Sequence, residues 1–544
     1  MSITVDNFRE KAPEFLFLRL SNGRNALLDA PPGLGKTKGG AKVAIRINKE
    51  MGKRVLIIEP TKTLRSQVEK YLQEEGDGIE FHVSKGWNDY ICPLTNTKAD
   101  LCSTRKETCR EENIKCGVLD DIDKTINSNI TLATFSKLLL SKNNFKGYDT
   151  IIVDESHGFE TAESSYLQTY VMFKQIENVI NEINKENPAL AEKLTNLHTG
   201  LSRMNDRLGD SDPLTSQEVD IIKREFGDTS FRDAWISYTR ENKFPRYNSL
   251  YKNIANLHYL MQSVGKNVFF FYEGSLYGRP KNMEVEISGF FRDKNVGLLS
   301  ATIDDAVKHA RACGLDMRRF SDEDWCILKQ YPKVRRENRK LFALTDGPNL
   351  GRRSDDQYND SRLEANEILA QLLDRYKMRT LVLFRGYNDQ QMAWKYLEPL
   401  NFSKRIYNIW QGDDTEIIDE KINQLRESDI VLSSAASRLW EGVDIPGLRL
   451  LIIDALPFPS KDPLDKEYNF RTSYISMIKK LKQGLGRIVR SDDDWGAAII
   501  IDKRFDERFN SIAPKLPWFM GDDFKRRTLS ETFQDIDYFI NNKK

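Results

Sequence analysis

Asn25-Ala-Leu-Leu-Asp29-Ala30-Pro31-Pro32-Gly33-Leu34-Gly35-Lys36-Thr37 decides the fold. It reads as a short buried strand, a loop of glycines and prolines, and the opening of a helical pattern. Strand, loop, Lys-Thr and helix in that order form the context a phosphate loop requires. Gly33 and Gly35 let backbone N–H groups crowd phosphate oxygens, because no Cβ stands in the way. Lys36 is placed for the β- and γ-phosphates of a nucleotide, and Thr37 for Mg²⁺. Ala30 stands first in the loop, where glycine is usual, and Pro31 and Pro32 stiffen it. Ala30, Pro31, Pro32, Gly33, Leu34, Gly35, Lys36 and Thr37 are therefore the expected ATP cradle.

Outward from the loop, Arg54–Glu59, Asn129–Ala133 and Asp149–Val153 read as further buried strands of one parallel sheet. The last runs into Asp154-Glu155-Ser156-His157. Asp154 is placed to hold Mg²⁺, and Glu155 to orient or deprotonate an attacking water. Two acids after a strand often mark only a helix N-terminus; the phosphate loop upstream favours the catalytic reading.

A second α/β series follows. Gly297-Leu-Leu-Ser300-Ala301-Thr302 returns to the strand pattern after a long excursion. Arg379–Phe384, Lys404–Tyr407, Asp429–Ser433, Arg449–Ile453 and Ala497–Ile501 continue it. Trp440-Glu441-Gly442-Val443-Asp444-Ile-Pro-Gly447 is a loop after one of these strands. Gln483-Gly-Leu-Gly-Arg487-Ile-Val-Arg490 sits on a helical pattern, so Arg487 and Arg490 are expected on one face, within reach of a γ-phosphate across a cleft. An ATP site split over two halves couples hydrolysis to their opening and closing.

The excursion itself is expected to be helical. Leu167, Tyr170, Val171, Phe173, Ile176, Val179, Ile180 and Ile183 recur at near-helical spacing, as do Leu250, Ile254, Leu257, Met261 and Val264. Val268–Tyr272 and Met283–Ile287 look like strands at its exit.

With 82 basic and 81 acidic residues in 544, net charge is +1, so a nucleic acid would be held by a local basic groove and not by a global field. No apolar signal core opens the chain, no run is long enough to span a bilayer, and no room for a nuclease precedes the loop. The expectation is a cytosolic protein with reduced thiols. Four of the six cysteines, Cys92, Cys102, Cys109 and Cys116, share one window with the spacing Cys-x9-Cys-x6-Cys-x6-Cys. Such clustering argues for ligation and not for disulfides. Zinc sites favour Cys pairs two to four residues apart, which are missing here, yet a soft thiolate set suits zinc and iron–sulfur clusters alike. Cys313 and Cys326 read as ordinary buried thiols.

Taken together, the chain resembles the superfamily 2 DNA helicases of the XPD/DinG type over nearly its whole length. The motifs occur in order: Ala30–Thr37; Pro60-Thr61-Lys-Thr63-Leu64-Arg-Ser-Gln67; Asp154–His157; Ser300–Thr302; Leu381–Phe384; Trp440–Gly447; and Gln483–Arg490. Ala455-Leu-Pro457-Phe-Pro459-Ser-Lys-Asp462-Pro463-Leu464 and the flank Lys85-Gly86-Trp-Asn-Asp-Tyr90-Ile-Cys92 are similar to family segments too.

The resemblance implies an α/β fold of two RecA-like parallel-sheet domains, with a cysteine-bearing insertion and a helical arch in the first. The first domain would comprise 1–84, 121–162 and 286–335, the cluster insertion 85–120, the arch 163–285 and the second domain 336–544. It implies ATP, Mg²⁺ on Thr37 and Asp154, and a [4Fe–4S] cluster on Cys92, Cys102, Cys109 and Cys116, with zinc as the alternative. Lys36, Asp154, Glu155, Arg487 and Arg490 would be catalytic; Gly442, Asp444 and Gln483 would join the nucleotide site. Thr61, Thr63, Ser300 and Thr302 would touch the nucleic-acid backbone or couple it to ATP, without base readout. The implied activity is 5′ to 3′ translocation of a monomeric motor on single-stranded or forked DNA, with a wedge at the cluster insertion. RNA or RNA–DNA hybrids are the second substrate class, and an ATP-gated nucleic-acid clamp is the non-motor alternative. The chain departs from the family in having no Gln ahead of the phosphate loop, in Thr134-Phe135 where an Asn-His pair is common, and in Arg385-Gly386 where small hydroxyl residues are common.

Overall fold

Short runs of Leu, Ile and Val between turns build three sheets. The computed structural model describes residues 3–4, 6–31, 33–76, 78–94, 96, 98–99, 106–159, 168–209, 213–226, 245–262, 264–281, 288–301, 303, 305–328, 338–351, 355–400, 402, 405–410, 415–434, 438–440, 445–459, 470–488, 494–516 and 524–543. Its strands in the first part of the chain are β1 (Ala26–Asp29), β2 (Val55–Glu59), β3 (Phe81–Val83), β4 (Ile130–Thr134), β5 (Thr150–Val153), β6 (Thr169–Met172), β7 (Asn267–Tyr272), β8 (Ser275–Pro280), β9 (Asn295–Ser300) and β10 (Trp325–Ile327). They continue as β11 (Arg339–Leu344), β12 (Thr380–Phe384), β13 (Ile406–Ile409), β14 (Ile430–Ser434), β15 (Leu450–Ile453), β16 (Gly496–Ile500) and β17 (Phe524–Arg527).

The first sheet has seven parallel strands in the order β10-β1-β9-β5-β2-β4-β3. The second has seven parallel strands in the order β13-β14-β12-β15-β16-β11-β17. Each is covered on both faces by apolar cores, which is why its strands are near-continuous apolar runs and not alternating ones. In a parallel sheet every strand delivers its carboxyl end to the same edge. The adjacent strands β1, β9, β5 and β2 therefore bring the phosphate loop, Ser300, Asp154 and Glu59 together.

Between β3 and β4 lie the cysteine-bearing segment and the helices Lys106–Glu111 and Gly117–Asn127. Between β5 and β9 lie the helices Phe173–Ile183, Pro188–Leu208, Ser216–Phe226 and Pro245–Met261, with their own core. This excursion also contains the antiparallel sheet β6-β8-β7. Here the structure corrects the reading of the excursion as helical with strands only at its exit. Tyr170 and Val171 lie on β6, because period-2 burial across a sheet accounts for them as well as a helix turn would; the helix starts only at Phe173. Val268–Tyr272 is a strand, and its partner is Ser275–Pro280; Met283–Ile287 and Leu167 lie outside the described residues. The strand expected at Lys404–Tyr407 runs two residues later, at Ile406–Ile409. Strands β3, β10, β11 and β17 went unread; β3, β10 and β17 are sheet-edge pieces of three or four residues, too short to show a period. Among the described residues no helix is long and apolar enough to cross a membrane.

Candidate active site

Helix Lys36–Met51 starts directly from the loop. Its N-cap, Gly35, has φ +90°, and Gly33 has φ +76°, conformations a side chain would strain. No side chain caps this helix and no acid occupies its first turn, so its first N–H groups face the loop as an anion site. The buried Lys36 ammonium donates to the Ala30 and Pro31 carbonyls at 2.6 and 3.1 Å. Thr37 Oγ1 donates to Asp154 Oδ2, joining the two motifs that the sequence places 117 residues apart. Asp154 Oδ1 accepts the Glu155 N–H at 2.9 Å, and the Asp154 N–H reaches Ile58 O at 2.9 Å. A hydroxyl and a carboxylate side by side are the hard oxygen donors Mg²⁺ takes, so this pair fits the ion. Burial pushes the Asp154 carboxyl up to about 6, with Glu155 adding to the shift and Thr37 and Lys36 opposing it.

Glu155 adopts φ +43°, a left-handed conformation uncommon outside glycine that turns its side chain back over the strand end. Its Oε2 lies 3.4 Å from His157 Nδ1. His157 is the hinge of the site. Gln483 Nε2, on helix Phe470–Leu485, contacts His157 Nε2 across the two sheets. On its other ring nitrogen, His157 Nδ1 lies 3.0 Å from Ser300 Oγ. The Ser300 carbonyl in turn accepts the Ala30 N–H at 2.9 Å. One continuous path thus runs from the second half, through His157 and β9, to the start of the phosphate loop. Behind it, His309 Nε2 lies 3.0 Å from Ser156 Oγ, and burial pushes this imidazole down to about 3, so it stays neutral.

The second half corrects one expectation. Helix Phe470–Leu485 ends before Arg487, which lies in the following turn and not on a helix face. Its guanidinium donates to Trp440 O at 2.9 Å, so it borders the loop that follows Trp440. Gly484, in the last turn of that helix, lets the buried Trp440 ring approach, because a Cβ there would sit 2.7 Å from it. Pro32, Cys102, Thr302, Glu441, Gly442, Val443, Asp444 and Arg490 lie outside the described residues. Thr61 caps helix Lys62–Glu75, its Oγ1 accepting the Leu64 N–H at 3.2 Å and keeping its own proton to donate. Thr63 and Ser300 are buried. Arg385 is an anchor within the second half, donating to Leu350 O and paired with Asp389.

Cys92, Cys109 and Cys116 meet in one small core with Trp87, Tyr90, Ile114 and Ile122. Burial, and then the neighbouring Cys116 and Cys92, push the Cys109 thiol up. Among the described residues no three ligating side chains converge on a single point. The segment is tied to the sheet by Asp121, which is buried and accepts from His82, Ser84, Tyr90, Lys137 and the Lys85 N–H.

One residue escaped the sequence reading. Glu59 ends β2, and the pairing of Ile58 with Val153 sets it beside Asp154. It is fully buried and neither carboxyl oxygen has a hydrogen-bond partner. Burial, and then the charges of Asp154 and Glu155, hold its carboxyl well above the usual range. The available signal was an acid closing a buried strand next to a strand that ends in Asp154. A carboxyl raised in the folded state contributes stability below its unfolded value, near 4.3, and that contribution is lost as pH rises through the folded value. Glu59→Gln removes this loss. Its stability relative to wild type, followed by its thermal midpoint, is expected to rise from pH 5 to pH 8, by up to about 1.4 kcal/mol of unfolding free energy per pH unit between the two values. Melts showing an equal difference at both pH values would contradict this.

Residues 14–188 match the DEAD/DEAH box helicase model and residues 369–518 the helicase C-terminal domain model. The Methanocaldococcus jannaschii protein named "Probable ATP-dependent helicase MJ0942" is 24% identical, with 96% of this chain and 95% of that protein covered. The ATP-dependent DNA helicase YoaA of Escherichia coli K12 is 38% identical over 110 residues, 18% of this chain and 17% of YoaA. Among solved structures, an XPD helicase superposes with a TM-score of 0.65 at 16% identity, covering 96% of this chain and 99% of the other. Xpd4 of S. tokodaii gives 0.57 at 14%, covering 96% and 100%. At these identities the structural likeness is one of fold.

Proposed function

Because this chain is an ATP-dependent helicase of the XPD/DinG type in superfamily 2, we propose that it separates DNA strands while moving 5′ to 3′ along single-stranded DNA as a monomeric motor. The observation that carries the motor reading is the path Gln483–His157–Ser300–Ala30, which joins the second half to the phosphate loop beside Glu155. In this reading Lys36 exchanges the Ala30 and Pro31 carbonyls for phosphate oxygens. Mg²⁺, held by Thr37 and Asp154, neutralises phosphate charge when bound. Glu155 accepts the proton of the attacking water. Arg487 leaves Trp440 O for the γ-phosphate as the halves close, and Arg490, Gly442 and Asp444 are assigned to the nucleotide by the motifs that carry them. The buried Ser300 serves coupling, and Thr61 keeps a hydroxyl proton for a backbone phosphate, with Thr63 and Thr302 beside these two motifs.

Residues 85–120 form the cluster-bearing wedge in this reading, 163–285 the arch, and 1–84, 121–162, 286–335 and 336–544 the two RecA-like domains. Cys92, Cys109 and Cys116 supply the soft donors of a thiophilic group, and Cys102 completes the set; a [4Fe–4S] cluster would pin the segment. Anaerobic purification should give a brown protein with iron and sulfide. A colourless protein holding zinc would overturn the cluster.

Forked substrates test the motor. Unwinding is expected from 5′ overhangs, and unwinding only from 3′ overhangs would overturn the polarity; RNA overhangs supporting equal rates would overturn the DNA assignment. Gln483→Ala should leave ATPase without nucleic acid within a few-fold of wild type. Its stimulation by single strands should fall about 5- to 10-fold, the value of one hydrogen bond. Unchanged stimulation would remove the path from coupling.

A further inference from the structure

The sheet β6-β8-β7 packs one face on its helices through Val171, Phe269, Phe271 and Leu276. Its other face carries a row of aromatic rings in register: Tyr170 on β6 pairs with Tyr277 on β8, which pairs with Phe270 on β7. The rings are stacked, with centroids 5.2 Å apart at 26° for Tyr170 and Tyr277, and 5.1 Å at 9° for Tyr277 and Phe270. Tyr272 closes on Tyr277 edge-on at 6.4 Å. The stack ends in the open. Tyr170 lies on the edge strand and is 41% exposed, as is its neighbour Met172 at 42%. Cross-strand aromatic pairs by themselves stabilise a sheet, but that accounts for Phe270 and Tyr277 and not for a half-exposed ring at the end of the stack.

The surroundings fix the chemistry of what would cover it. Arg279 stands on the same face as Tyr277, two residues along β8, and the exposed Lys266 and Lys281 flank that end. At the far end of β6, Lys174 is paired with Glu177 at 2.9 Å, so the unmatched positive charge lies at the Lys266 and Lys281 end. An aromatic step with cations at one end suits bases carried on a phosphate backbone, and stacking of this kind needs no particular base. The chain enters this region from the end of β5, beside Asp154, and returns to the sheet at Asn295, the start of β9.

Phe270 is buried and closes the inner end of the stack, so we propose that its open end, on β6, is a base-stacking platform for a single nucleic-acid strand, with Tyr170 as the ring on which a base lies. The inference rests on the helicase reading above. Its test is equilibrium binding of the full chain, at one fixed salt concentration, to a mixed-sequence single-stranded DNA oligonucleotide and to an abasic version of equal length. Tyr170→Ala should weaken binding to the base-bearing strand about 5- to 150-fold, the stacking of one base. Tyr170→Trp should retain it, and the abasic strand should bind Tyr170→Ala and wild type alike. ATPase without nucleic acid should be unchanged in both variants. Equal affinity of Tyr170→Ala and wild type for the base-bearing strand would overturn the platform alone. The same loss on the abasic strand would also overturn it, by assigning the effect to the backbone or to folding. Wild type that binds neither strand would overturn the helicase reading, and the platform with it.

Discussion

Glu155→Gln is expected to lower ATP turnover by about 10²–10⁴-fold, the range a positioned general base contributes, while nucleotide and single-stranded DNA still bind. The substitution keeps shape and size and removes only the ability to take a proton. The left-handed backbone at Glu155 is set by the turn Asp154–Ser156 and by the Glu155 N–H donated to Asp154, so the amide should occupy the same place. Asp154 and Thr37 remain to hold Mg²⁺, and Lys36 to hold phosphate. Measured turnover near wild type would remove Glu155 from its role. Loss of nucleotide binding in parallel with turnover would instead make it a structural support of Asp154.

Arg362→Met is expected to destabilise the second half by about 3–5 kcal/mol, the cost of leaving a buried charge without its partner. Arg362 and Asp454 are both buried, and the guanidinium donates to the two carboxylate oxygens at 2.6 and 2.5 Å. Asn366 accepts from Arg362 Nε at 3.1 Å, and Asp454 ends β15, its N–H on Leu383 O. Burial pushes the Asp454 carboxyl up and the guanidinium opposes it. In Arg362→Met it should take up a proton, so the loss measured by denaturant titration is expected to be smaller at pH 5 than at pH 8. The double variant Arg362→Met/Asp454→Leu should recover most of the loss, because an apolar pair of similar volume carries no desolvation cost. A single variant within about 1 kcal/mol of wild type would show the pair is not needed.

The motor was legible because its chemistry is local. A phosphate loop needs its glycines, Lys36 and Thr37 within a few residues, between a strand and a helix, and the acids Asp154-Glu155 follow directly on a strand. What stayed hidden involves residues far apart in the chain. Arg362 and Asp454 are 92 residues apart and show no pattern until β12 and β15 lie side by side. Tyr170 and Val171 read as helix because four residues of strand running into a helix blur two periods. Arg487 was expected on a helix because the spacing of Gln483, Arg487 and Arg490 does not reveal that the helix stops at Leu485, between Gly484 and Gly486.

The sequence by itself determined the two α/β halves, the split ATP site and the cysteine window, because strand burial, loop glycines and thiol chemistry depend on neighbours along the chain. Only the tertiary structure decided how the halves communicate. His157 meets Gln483, which is 326 residues away, and Ser300 reaches the phosphate loop only because β9 lies next to β1. The lone carboxyl of Glu59 and the stacked face ending at Tyr170 likewise exist only once parallel strand ends, or three strands in register, bring distant side chains into contact.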